Sequence, residues 1–169
     1  MTGWDVLDEA RTMLRTAVAR VPADGWERPT PCDAWNVAQV LQHAALDQEV
    51  WAAALGTGQA LDASAQAWTA IGDAAQVPTP LPQGAMPPGD AAAAAALDAA
   101  IHAWDIAMAA GQSSPLRAEL ARSLTPVAKN IVEPLRAHGA YARALETEPG
   151  ADDEAVLLSY LGRRPHWTA

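Results

Sequence analysis

The sequence predicts an all-α protein: a four-helix bundle closed by a short C-terminal helix. Three observations carry that expectation. Apolar residues recur at helical spacing through most of the 169 residues, and no segment alternates as a half-buried strand does. Hydrophobic residues make up 50% of the chain, rich in alanine, with seven Trp and no Phe. Small side chains let helices approach closely, and a few tryptophans fill the gaps. The periodic segments are separated by proline- and glycine-bearing stretches that cannot be helix interior. A single domain over residues 1–169 is expected from this length.

The elements follow in order. Thr2 and Asp5 form a capping signature for a first helix. Trp4, Leu7, Ala10, Leu14, Ala17 (or Val18) and Val21 share one face of it, and Pro22 stops it. Residues 22–35 are a proline-containing connection. Asn36 and Gln39 resemble a second capping box, opening a helix through Val37, Val40, Leu41, Ala44, Trp51 and Leu55 to a stop at Gly56. Residues 57–89 form a long link. Within it "ALDASAQAWTAIGDAA", residues 60–75, has room for a short helix; the prolines of "VPTPLPQGAMPPGD" forbid one. A link this long permits a crossover, so the second and third helices are expected to run parallel. Asp90 is the cap candidate for the third helix, Ala91 to Ala110, with Gly111 as its stop. Ser114 and Pro115 read as cap and first position of a fourth helix reaching His138, kinked or broken at Pro126 and Pro134. Residues 139–151 are loop, and "DDEAVLLSYLG" is a last short helix closed by Gly162.

Charge narrows the function. The formal net charge is -9, which argues against nucleic-acid binding and against an anionic membrane surface. The longest apolar stretch, Ala91 to Leu97, is too short to span a bilayer. The N-terminus has no basic region followed by an apolar core, so no signal peptide is expected. One cysteine excludes an intramolecular disulfide and a Cys-rich zinc site. A cytoplasmic protein acting on a small molecule is the expectation, and apolar helix faces would suit a homodimer.

Chemistry concentrates in two places. His43 lies in the second helix. The third contains "LDAAIHAWD", in which Asp98 and His102, four residues apart, share a face with Asp105 close to the same stripe. An Asp–His pair and one imidazole from a neighbouring helix would give three ligands and open positions for water or substrate. The same spacing also describes a hydrogen-bonded half-surface pair, and His43 alone reads equally as a core histidine. Asp105 suits an acceptor for a ligand histidine or a cap for a nearby backbone group. Cys32, a few residues before a helix N-terminus, suits a nucleophile less well than a small buried residue shaping the turn; Trp35 reads as a staple on the start of the helix, and Trp104 as core or dimer contact. His138 complements a helix end; Arg163 and Arg164, just after the last helix, suit either the end of that helix or contact with an anionic substrate, the helix end being preferred, and His166 is exposed in the tail.

Three segments carry a family resemblance. "PTPCDAWNVAQVLQHA" resembles the start of the metal-binding helix in the DinB-like, mycothiol-dependent maleylpyruvate isomerase N-terminal domain family. "IHAWDIAMAAGQ" is similar to that family's H-x-W-D-L-A-x-A-x-G-Q segment. "LLSYLGRRPHW" resembles the ending of a shorter, single-domain actinobacterial subgroup. The resemblance implies a DinB-like bundle holding a divalent metal, zinc or else nickel, with His43, Asp98 and His102 as ligands and Asp105 behind them. It also implies mycothiol as a cosubstrate, for S-transfer or isomerisation of a small electrophile. Asp98 stands where the isomerases use glutamate, and the isomerase's extra C-terminal domain has no counterpart here. Those departures leave room for a non-catalytic metal-binding or stress-response bundle, or a metal-dependent hydrolase that uses water.

Overall fold

The computed structural model describes residues 1–54, 71 and 74–168. Among these residues lie five helices: α1 (Gly3–Ala19), α2 (Val37–Ala54), α3 (Pro88–Ala109), α4 (Ala118–Ala137) and α5 (Asp153–Tyr160). Only two isolated β-bridges, Pro29 with Asn36 and Val77 with Met86, accompany them among the described residues. The all-α expectation holds, and the arrangement is compatible with a DinB-like bundle. The expected helix stop at Gly56 and most of the expected short helix before Ala75 lie outside the described residues.

Local chemistry explains the boundaries. Thr2 accepts from the Asp5 backbone N–H at 3.2 Å while the Asp5 carboxylate accepts from the Thr2 N–H at 2.7 Å, a closed capping box. Asn36 and Gln39 repeat it at the start of α2, at 2.9 and 3.0 Å. Asp152 caps α5 through the Ala155 N–H. Two expected starts differ. Asp90 lies inside the first turn of α3, which begins at Pro88 after Pro87. Helix α4 begins at Ala118 rather than after Ser114, although the Ser114 hydroxyl accepts from the Leu116 N–H while donating to Glu154 at 2.6 Å. Pro126 and Pro134 both sit inside one continuous α4. Pro134 has no N–H for the Asn130 carbonyl one turn back, and the Gln83 amide donates there instead, at 3.4 Å.

Helix α3 is the axis of the molecule. From Ala91 to Ala107 every residue is buried except the half-buried Asp98. It is long and apolar enough to cross a bilayer, but neighbouring protein covers its circumference. Helix α1 runs parallel to it: Gly3 lies against Gly89, and Ala17 accepts a hydrogen bond from Gln112. Helix α2 runs antiparallel, contrary to the sequence expectation. His43 meets His102, whereas Asp47, one turn further along α2, meets Asp98, one turn back along α3. Link length limits which arrangements are reachable; the apolar and polar faces of α2 decide which one forms.

Candidate metal centre

The centre lies where α2 crosses α3. The capping box fixes where α2 begins, and two turns later His43 points toward α3. Its ring centroid lies 5.0 Å from that of His102, nearly edge-on. One imidazole nitrogen from each histidine and one Asp98 oxygen lie within 4.8 Å of one another. Asp98 Oδ1 is 3.4 Å from His102 Nε2. Its other oxygen, Oδ2, is buried with no hydrogen-bond donor among the described residues. The nearby Asp47 carboxyl can donate to it only when protonated.

Behind this cluster stands a polar chain. His102 Nδ1 lies 3.1 Å from Asp105 Oδ2. Arg163 grips that carboxylate with two hydrogen bonds, Nη2 to Oδ2 at 2.9 Å and Nε to Oδ1 at 3.3 Å. Its Nη1 donates to the Leu161 carbonyl at the end of α5, so the expected helix-end role is also present. Asp105 is fully buried and Arg163 nearly so. Of the two roles considered for Asp105, the structure places it behind the histidine. The ionised carboxylate draws the imidazole hydrogen to Nδ1 and leaves Nε2 turned toward Asp98. Gly162 delivers Arg163: its φ is +81°, and a Cβ there would come within 2.9 Å of the Arg143 carbonyl oxygen.

The electrostatics follow from burial and pairing. Burial alone would lower the His102 pKa, but the Asp98 charge and bonds to both carboxylates carry it up to about 9. Burial would raise Asp98 and Asp105; His102 holds the first below the usual carboxylate range, and Arg163 the second. Burial and then the Asp98 charge push Asp47 up to about 7. His43 is lowered by burial and by the charge of His102.

The cluster forms the floor of a cavity of about 670 Å³. Trp35, Trp51, Leu81, Ile131, Leu135 and Tyr141 supply apolar wall. Trp35 packs on His43 with 4.5 Å between ring centroids, so it flanks the site as well as starting the helix. Cys32 also faces the cavity, but burial and then the charge of Asp105 push its thiol up, away from thiolate. Trp104 is core, with its Nε1 donating to Glu154. His138 accepts its expected place at the end of α4, 2.8 Å from the Pro134 carbonyl, and His166 is exposed. Sequence reading missed Asp47 and Tyr141. Asp47 is the fourth residue after His43, 3.3 Å from its Nε2, so the spacing that singled out Asp98 and His102 would also have found it. Tyr141 stands in an irregular loop, where no periodicity points inward.

Fold and site together define a helical bundle with a histidine–carboxylate cluster at the floor of a cavity. The chain belongs to the mycothiol maleylpyruvate isomerase N-terminal domain family, whose sequence model matches residues 7–67. That segment contains His43; Asp98 and His102 come from beyond it. Two similar proteins, both described as uncharacterised, are from Mycobacterium tuberculosis strains CDC 1551 / Oshkosh and ATCC 25618 / H37Rv. Each is 30% identical over 139 residues, covering 74% of this chain and 76% of the relative. No solved structure matches.

Proposed function

We propose that this chain is a divalent-metal-dependent enzyme that uses a low-molecular-weight thiol of the mycothiol type, for S-transfer to, or isomerisation of, a small electrophile. His43, Asp98 and His102 would hold the metal, zinc or else nickel. The observation that carries the reading is the convergence of their three donor atoms within 4.8 Å beneath a cavity. The donor set fits: two imidazoles and a carboxylate suit zinc, and a three-ligand site leaves room for a reactant. Asp98 Oδ2 is a buried acceptor whose neighbour, the Asp47 carboxyl, serves it only when protonated; a cation would satisfy it whatever the charge of Asp47.

When bound, a divalent ion supplies positive charge that favours ionisation of a thiol near neutral pH. The remaining work falls to the chain. Asp105 keeps the His102 hydrogen on Nδ1, and Arg163 keeps Asp105 ionised and in place. Trp35 and the other apolar walls limit water around the reactants. The raised thiol of Cys32 suits a structural part of the wall, which leaves the nucleophile to an external thiol. The family affiliation supports the choice of mycothiol. Such a thiol is kept reduced in a cytoplasmic setting, and the net charge of -9 gives nucleic acid or an anionic membrane no purchase.

Elemental analysis of the untreated protein is the direct test. About one zinc or nickel per chain is expected, with loss of that metal in His43→Ala and His102→Ala. A folded protein that takes up neither ion would sink the proposal. Turnover with the thiol omitted would move the reading to a hydrolase.

A further inference from the structure

Two helices contribute the same pair of side chains in opposite order. Helix α2 carries His43 and Asp47, and α3 carries Asp98 and His102; each pair is four residues apart and shares one face of its helix. Because the two helices run antiparallel, like meets like. His43 faces His102, with ring centroids 5.0 Å apart, and the Asp47 carboxyl lies within hydrogen-bonding reach of Asp98. Within each helix the histidine closes on its own carboxylate. His43 Nε2 is 3.3 Å from Asp47 Oδ2, and His102 Nε2 is 3.4 Å from Asp98 Oδ1. Three members of this quartet are the ligands assigned above. Asp47 is the fourth, and it touches two of those three.

Charge says what Asp47 does beside a bound ion. Two ionised carboxylates in contact repel unless positive charge lies between them. An ion held by His43 and Asp98 would lie against a carboxylate that already touches both. Asp105 and Arg163 balance each other. With both imidazoles neutral, as ligands are, one divalent ion together with Asp47 and Asp98 leaves the whole cluster neutral, which suits so enclosed a site. The Asp47 side chain lines the cavity and is 35% exposed, so it has room to turn from Asp98 toward the ion. We infer that Asp47 is a fourth protein donor to the metal, completing a set of two imidazoles and two carboxylates. The inference rests on the three-donor reading and adds one residue to it. A reactant still has a place, because zinc accepts a fifth ligand during catalysis.

Asp47→Asn is the discriminating variant. Its amide is nearly isosteric and can donate to the Asp98 carboxylate, so the metal-free protein should melt within a few degrees of the parent. An amide is a much poorer metal donor than a carboxylate. Zinc affinity, measured by competition with a chelator, should fall about tenfold or more. The visible d–d absorption of the cobalt(II)-loaded chain should change in wavelength and intensity, because those bands report the donors bound to the ion. Asp47→Glu keeps a carboxylate and should recover part of the affinity. Parent-like zinc affinity in Asp47→Asn overturns the inference and leaves the three-donor site standing. Weaker binding with a parent-like cobalt spectrum also overturns it, since Asp47 would then act through His43. A parent chain that takes up neither zinc nor cobalt removes the three-donor reading, and the fourth donor with it.

Discussion

His102 is where the chemistry of the site becomes measurable. Its folded pKa of about 9 lies above the ordinary histidine value of 6.5. The folded metal-free protein therefore binds a proton that the unfolded chain releases. That stabilisation is complete below about pH 6.5 and is lost as pH rises through about 9. Asp47, raised from 3.8 to about 7, acts in the same direction over a lower window. The melting temperature of metal-free protein should fall between pH 6 and pH 9. Metal displaces the same protons, so zinc affinity should rise over that window; a pH-independent affinity would remove His102 from the ligand set. Arg163 gives a second test. Arg163→Met leaves Asp105 buried with His102 as its sole partner, and breaking such a pair costs about 3 kcal/mol. Urea unfolding should show that loss. Zinc affinity should also drop about tenfold, which a purely structural arginine would not produce.

At the scale of elements, the bundle depends on how closely α1 and α3 approach at their N-terminal ends. A Cβ on Gly3 would run into the Gly89 carbonyl, which is backbone and has little freedom to move. Gly3→Ala should therefore destabilise the protein by about 1–3 kcal/mol in chemical denaturation, despite alanine's better helix propensity. No stretch of sequence announces that contact, because it joins residues 86 positions apart. Two capping boxes were legible: Thr2–Asp5 and Asn36–Gln39 act where their spacing put them, since a cap is satisfied within four residues. Ser114 accepts from the Leu116 N–H as a cap does, yet the helix starts only at Ala118. Asp98, His102 and Asp105 were legible as one helical face. Their assembly with His43 needed the family pattern, and the antiparallel course of α2 was invisible because side chains from two helices decide it. Arg163 reads from the sequence as a helix-end charge or an anion contact, and its buried partner Asp105 lies 58 residues earlier, beyond the reach of local spacing.

The whole molecule couples the site to its stability. Asp98 and His102 are carried by the most enclosed helix of the fold, so freeing them means separating α3 from the rest of the bundle. His43 comes from α2, and Arg163 behind Asp105 follows α5. Three parts of the chain thus meet at one cluster, and the unfolded chain cannot keep it together. A ligand that binds only the folded state stabilises it by mass action, about 2.7 kcal/mol at a free concentration one hundred times its dissociation constant. For a protein of this size each kcal/mol moves the melting temperature by about 2–4 °C. Zinc at that excess should therefore raise the midpoint by about 5–10 °C at pH 7.5, measured by calorimetry. In His43→Ala the increment should shrink to near zero, while the metal-free midpoint stays within a few degrees of the parent because His43 is half-exposed. A variant that still gains the full increment would show that the ion binds elsewhere. A parent protein that gains none would leave the cluster as a proton-sharing network, in which the protonated Asp47 carboxyl serves the buried Asp98 oxygen in place of a metal.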